Sequence, residues 1–160
     1  MPSKLHVTAS AVVPASQERV FELLSDTARY SEWVTGTNAV TRTDGPAREG
    51  STYDEVNPIL GPWKANTKWR VVEHLAPRRT VHETDDIPLS SRFEVVMEVA
   101  AQGEGASEVT LTLQGEPAFG PLGTVFAKLM QGQVDRDNRR SVEAFAELAT
   151  RELGASVARA

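Results

Sequence analysis

Residues 5–13, Leu-His-Val-Thr-Ala-Ser-Ala-Val-Val, alternate apolar and polar positions, the period of a half-buried strand, and Pro14 ends it. Ser16 then stands where a helix cap is wanted, with Gln17 and Glu18 in the first turn and Val20, Phe21, Leu23 and Leu24 as the apolar face. Asp26 reads as a second cap, opening a short helix that carries Tyr30 and Trp33 and stops at Gly36. From 37 to 117 the period shortens to two. Strands are expected at about 37–43, 51–57, 63–75, 79–85, 90–101 and 107–116. Turns fall at Asp44-Gly45-Pro46, Pro58 to Pro62, Pro77-Arg78-Arg79, Pro88 and Gly103-Glu104-Gly105.

After Pro121 the pattern becomes helical. Leu122, Phe126, Leu129, Met130, Val134, Val142, Phe145 and Leu148 recur at steps of three and four, predicting one long helix to about Leu153 unless Gly132 interrupts it. The tail from Gly154 to Ala160 reads as frayed. Strands in series followed by a segregated helix predict an α+β fold. One helix cannot cover six or seven strands, so the sheet must curl around it, and any gap between them would be an apolar cavity.

Composition narrows the chemistry. The chain has 160 residues and a formal net charge of −5, which fits one domain and disfavours a general nucleic-acid binder. It has no cysteine, which removes disulfides, thiol nucleophiles and Cys-ligated metals. Neither a signal peptide at the start nor a membrane span elsewhere is expected, so the location read from the sequence is cytoplasmic. The oligomeric state is not legible. Walker, Gly-x-Gly-x-x-Gly, Gly-x-Ser-x-Gly and His-Glu-x-x-His patterns do not occur, so no cofactor is expected and hydrolase or transferase chemistry has little support.

On strand 63–75, Trp63, Ala65, Thr67, Trp69 and Val71 share a face opposite Lys64, Lys68 and Arg70, so the tryptophan face should look inward. Tyr53, Glu55 and Asn57 share a face of strand 51–57. Facing inward, they would place a phenol, a carboxylate and an amide in an apolar space. A one-residue slip would instead turn Glu55 to solvent. Phe93, Val95 and Met97 on one strand, Leu111 and Leu113 on the next, and Phe126, Leu129, Met130 and Gln133 on the helix complete the expected ligand-binding wall. Tyr53 and Glu55 are the weak catalytic candidates. Gln133, Asp137, Asn138 and Ser141 interrupt the helical stripe and read as a solvated stretch, hydrogen bonding at the tunnel's inner end being the alternative. His74 and His82 flank the Pro77 turn. A three-residue loop would put them on one face, but they read as surface histidines and no metal site is expected.

The stretch Val20-Phe-Glu-Leu-Leu-Ser-Asp-Thr-Ala-Arg-Tyr-Ser-Glu-Trp33, with an apolar pair, Leu-x-Asp and Tyr-x-x-Trp after a strand ending Val13-Pro14-Ala15, resembles the START-like (SRPBCC) superfamily of polyketide cyclase/dehydrase and lipid-transport type. Gly50-Ser-Thr-Tyr53, Trp69-Arg-Val-Val-Glu73 before Pro77-Arg78, and Ser107-Glu-Val-Thr-Leu-Thr-Leu113 add to the likeness, which covers about residues 4–153. The resemblance implies a helix-grip fold, a curved antiparallel sheet of about seven strands around the C-terminal helix with a ligand tunnel between them. It does not imply one reaction, since members include carriers, sensors, aromatase/cyclases and ubiquinone-binding proteins. The expected function is binding of an apolar or aromatic small molecule (a lipid, polyketide or quinone type). The alternatives are a cyclase/dehydratase-type enzyme and a protein-interaction module with a vestigial cavity.

Overall fold

A computed structural model describes residues 4–60 and 62–154, with only the backbone of residues 59 and 60. The expected frayed tail lies, from 155 on, outside the described residues. Strand β1 (Leu5–Val13) leads into helix α1 (Gln17–Leu24) and a 3-10 helix (Thr27–Glu32). Six strands follow: β2 (Ala39–Thr43), β3 (Thr52–Leu60), β4 (Trp63–Leu75), β5 (Arg79–Thr84), β6 (Ser90–Ala101) and β7 (Ser107–Pro117). Helix α2 (Pro121–Ala149) closes the fold with a π-helical turn at Thr150–Gly154. The seven strands form one antiparallel sheet in the order β1-β7-β6-β5-β4-β3-β2. Every pairing after β1 is therefore a hairpin between sequence neighbours, and β1 returns to pair with β7.

Local chemistry explains the boundaries. Ser16 caps α1 by accepting the Arg19 N–H at 3.4 Å, and Val20, Phe21, Leu23 and Leu24 bury the helix's apolar side. Gln17 Nε2 donates to the Val99 carbonyl at 2.8 Å, tying α1 to β6. Asp26 holds the N-cap position of the 3-10 helix without a side-chain capping bond. Strand β3 runs through Pro58 rather than turning there. β2 pairs only as far as Val56, so Pro58 sits where β3 is an edge and its missing N–H leaves no ladder bond unmade. Gly103 and Gly105, both at positive φ, make the β6–β7 turn. Gly132 does not break α2.

Helix α2 packs on β1 and β7, and α1 on β6. The long helix thus covers one side of the curled sheet, leaving space between itself and β3–β6. Its expected apolar stripe divides along the length. Val142, Phe145 and Leu148 are buried in the core with Val20, Leu24, Tyr30 and Trp33, whereas Leu122 and Leu129 are exposed, as is Val125 outside the stripe. Trp63, at the tip of the β3–β4 hairpin, is also exposed, 71%, against the inward orientation expected for it.

Candidate functional site

The space between α2 and the sheet is a cavity of about 250 Å3. Its walls are mostly apolar: Leu5, Phe93, Val95, Met97, Leu111 and Leu113 from the sheet, and Phe126, Met130 and Val134 from α2. Gly115 belongs to the same wall. A Cβ there would lie 3.2 Å from the Phe93 ring and 3.3 Å from Leu5, so a larger residue would press on both. The side formed by the 3-10 helix and strands β3 and β4 is different in kind. Tyr30, Trp33, Thr37, Tyr53, Glu55, Asn57 and Trp69 all line it.

Glu55 is 4% exposed, so the face of β3 that carries it looks inward. Burial pushes its carboxyl up from the ordinary 4.5 to about 7, against the opposing pull of Asn57, Thr37 and Trp69. Asn57 fixes its orientation. The Asn57 amide nitrogen donates to Glu55 Oε2 at 3.0 Å and to the Gly36 carbonyl at 2.6 Å, while its oxygen accepts from the Thr67 hydroxyl. Both amide hydrogens are used, so the side chain cannot flip without losing two bonds.

Tyr53 anchors a second network. Thr80 Oγ1 donates to the Glu73 carbonyl at 3.1 Å, so its lone pairs receive His82 Nε2–H at 3.0 Å. That assigns the Nε2–H tautomer to His82, and its Nδ1 accepts the Tyr53 hydroxyl at 2.6 Å. His82 is 0% exposed, and burial lowers its pKa from 6.5 to about 3, so it is neutral. Burial raises both tyrosines well above 10, with Glu55 adding to the effect, which keeps them as hydroxyl donors. Tyr53→Phe would strand the His82 acceptor in the core. A loss of about 1–3 kcal/mol is expected in urea denaturation, and an unchanged midpoint would show that the bond carries no weight.

Several polar atoms on this cavity have no hydrogen-bond partner among the described residues: Tyr30 Oη, Trp33 Nε1, Thr37 Oγ1, Trp69 Nε1 and Asn138 Oδ1. Thr37 and Trp69 approach Glu55 closely enough to favour its charge without completing a bond. The aromatic groups brace one another. Tyr30 meets Trp33 and Tyr53 edge-on at 5.4 and 5.3 Å, and Tyr53 stacks on Trp69 at 6.4 Å.

Four expected wall residues lie elsewhere. Leu129 is 76% exposed, because it stands one residue and about 100° around the helix from Met130, away from the sheet. Gln133 lies on that exposed side, bonded to Asp137 and Arg136. Thr67 and Val71 are buried off the cavity, Thr67 held by Asn57 and Val71 packed in the main core. The solvated reading of the mid-helix polar residues fails for two of them. Asn138 is buried and donates to the Leu111 carbonyl at 2.9 Å, and buried Ser141 bonds the Asp137 carbonyl and the Thr35 N–H. The surface reading of the histidines fails as well. The β4–β5 loop leaves both on one face, so His82 is buried and His74 is half-buried against Phe21 at 5.2 Å. Among the described residues no three His, Asp or Glu side chains cluster as metal ligands. Tyr30, Trp33 and Thr37 were not among the expected wall residues. Only the Tyr-x-x-Trp spacing on a short helix hinted at the first two.

Comparison with known proteins agrees with this architecture. The fold is similar to that of an aromatase/cyclase from Streptomyces, with a TM-score of 0.77 and 17% identity over 93% of this chain and 95% of that one. A protein from Thermus thermophilus matches with a TM-score of 0.72 and 19% identity over 90% of this chain and 96% of its own. At these identities the likeness establishes the helix-grip fold alone. An uncharacterized protein of Mycobacterium tuberculosis is 28% identical over 144 residues, covering 89% of this chain and 96% of that protein. No helix among the described residues is long and apolar enough to cross a membrane. The sequence model of one family matches residues 4–150, and the chain belongs to it: the polyketide cyclase/dehydrase and lipid transport family.

Proposed function

We propose that this chain is a single-domain cytoplasmic protein that encloses an apolar or aromatic small molecule between α2 and the sheet. The polar part of the ligand would rest against Glu55 and its neighbours. The observation that carries this reading is the set of unpartnered polar atoms on one side of an otherwise apolar cavity. Each buried group left unpaired costs about 1–3 kcal/mol, so several on one cavity are a burden on folding that a ligand would relieve. The apolar walls would supply the affinity, at roughly 25 cal/mol per Å2 of surface removed from water.

The position of Glu55 favours a second reading, proton transfer on the bound molecule. Its carboxyl titrates near 7, close to the range in which a side chain both takes and returns a proton. The aromatase/cyclase likeness fits that chemistry without establishing it. Glu55→Gln would then abolish turnover while sparing affinity.

Native mass spectrometry of protein purified from cells tests the binding reading directly. A small added mass that disappears on denaturation is expected. A chain that stays ligand-free, even after exposure to quinones, aromatic ketones and long-chain alcohols, and that retains a protein partner would favour the interaction-module reading instead.

A further inference from the structure

We propose that the cavity discriminates by charge, accepting an uncharged ligand whose oxygen acceptors meet the free N–H and O–H groups around Glu55 and rejecting carboxylates and phosphates. This rests on the binding reading above and narrows it to a ligand class. Among the described residues lining the cavity there is no Lys, Arg or His, while two carboxylates, Glu55 and Asp137, do line it. An anionic ligand would bring a negative charge beside buried Glu55, in an apolar space with no cation to balance it.

The unpaired groups decide between a neutral ligand and a cation. Tyr30, Thr37, Trp33 and Trp69 offer donors, and the two indole N–H groups are donors only. An ammonium ion could pair with Glu55 but carries no acceptor for the indoles. A ketone, quinone or similar carbonyl oxygen has lone pairs for them and needs no counter-ion.

The groups facing Glu55 give the discrimination a pH signature. They are Tyr30 from the 3-10 helix and Tyr53 from its own strand, with uncharged Asn57 beside it on β3, Thr37 after the 3-10 helix, and Thr67 and Trp69 on β4. Asp137 on α2 lines the same cavity but is bonded to Gln133 on the exposed side. His82 on β5 lies behind Tyr53 and stays neutral. Below pH 7 the Glu55 carboxyl is protonated and can itself donate to a carbonyl oxygen. Above that pH the carboxylate draws the Thr37 and Trp69 donors toward itself. Carbonyl affinity should therefore fall as pH rises from 6 to 8.

Titration calorimetry with three ligands on one ring system tests this: 2-acetylnaphthalene, 2-naphthoate and 2-naphthylmethylammonium. At pH 8 the ketone should bind about tenfold or more tightly than the carboxylate, a difference of about 1.4 kcal/mol. The ketone should also bind more tightly than the ammonium ion at pH 6, and more weakly at pH 8 than at pH 6. In Glu55→Gln the ketone's pH dependence should vanish. Carboxylate binding equal to the ketone's, or ammonium binding above both, would overturn the charge discrimination and leave the binding reading standing. Failure of all three probes and of an uncharged decanol control would count against the binding reading itself.

Discussion

Glu55→Gln is expected to stabilise the protein by on the order of 3 kcal/mol at pH 8 and to uncover a pH dependence of its stability between about pH 4.5 and 6.5 that the wild type lacks. The Glu55 carboxyl is raised from 4.5 to about 7 in the folded state. The folded protein therefore holds a proton that the unfolded chain releases, and the associated stability is present below pH 4.5 and lost as pH rises through 7. His82 acts in the opposite direction. Its pKa falls from 6.5 to about 3, so the unfolded chain takes up a proton that the fold refuses. Its contribution is present above pH 6.5 and is lost on acidification toward 3, at about 1.4 kcal/mol per pH unit. Over the shared interval the two slopes oppose, and the wild-type profile should be nearly flat there.

Glutamine removes one of the two slopes. Its amide oxygen can still accept from Asn57, so the hydrogen bond is retained while the buried charge is lost. The variant should then weaken steadily as pH falls below 6.5, exposing the His82 contribution, and should hold a plateau above it. Urea denaturation from pH 4 to 8 on both proteins measures the difference. Parallel profiles would mean that Glu55 is solvated in the fold, against its position on the cavity wall. Carboxylates held low by surface arginines, such as Glu83 beside Arg70, act equally in both proteins and cancel in the comparison.

Gly123→Ala is the second large effect expected, and it acts at the cavity's rim. A Cβ on Gly123 would lie 1.7 Å from the carbonyl oxygen of Ala118 and 2.8 Å from its carbonyl carbon. Both are backbone atoms, so no rotamer change relieves the clash and the β7–α2 turn must move. That turn is already constrained: Phe119 and Gly120 both hold positive φ, 59° and 56°. Ala118 N–H also donates to the Leu89 carbonyl at 2.9 Å, which ties the turn to the β5–β6 loop. Ile87, Pro88, Leu89 and Pro117 from these two segments line the same cavity as Gly123 and Phe126. The substitution should cost roughly 1–3 kcal/mol in denaturation and speed ligand dissociation, because the rim opens. Wild-type stability would show that the turn relaxes freely.

Much of the architecture is legible in the sequence. Alternation from Phe93 to Val99 and from Val109 to Leu113 identifies strands because a half-buried strand must put every second residue into the core. The same logic puts Trp69 on an inner face and Tyr53 and Glu55 on one face of their strand, but leaves open which way that face looks; the fold turns it toward the cavity. It misplaced Trp63, because period alone does not show where a sheet outruns the helix that covers it. Leu129 and Met130 are adjacent and equally apolar, yet only Met130 reaches the cavity. The rotation of α2 on β1 and β7 decides that, and it depends on packing between segments far apart in the chain.

By itself, the sequence determined the element order, the hairpin-linked strands and the long amphipathic helix, because periodicity and turn residues act within a few positions of one another, and its resemblance to known members pointed to the fold family. Only the tertiary structure decided what surrounds each polar side chain. His82 became a neutral core group when Tyr53 and Thr80 closed around it, and Asn138 became buried when it met the Leu111 carbonyl. Glu55 gained its raised pKa from the depth at which the curled sheet buries it. Desolvation and hydrogen bonding are set by neighbours in space, and for these residues those neighbours lie mostly on other elements.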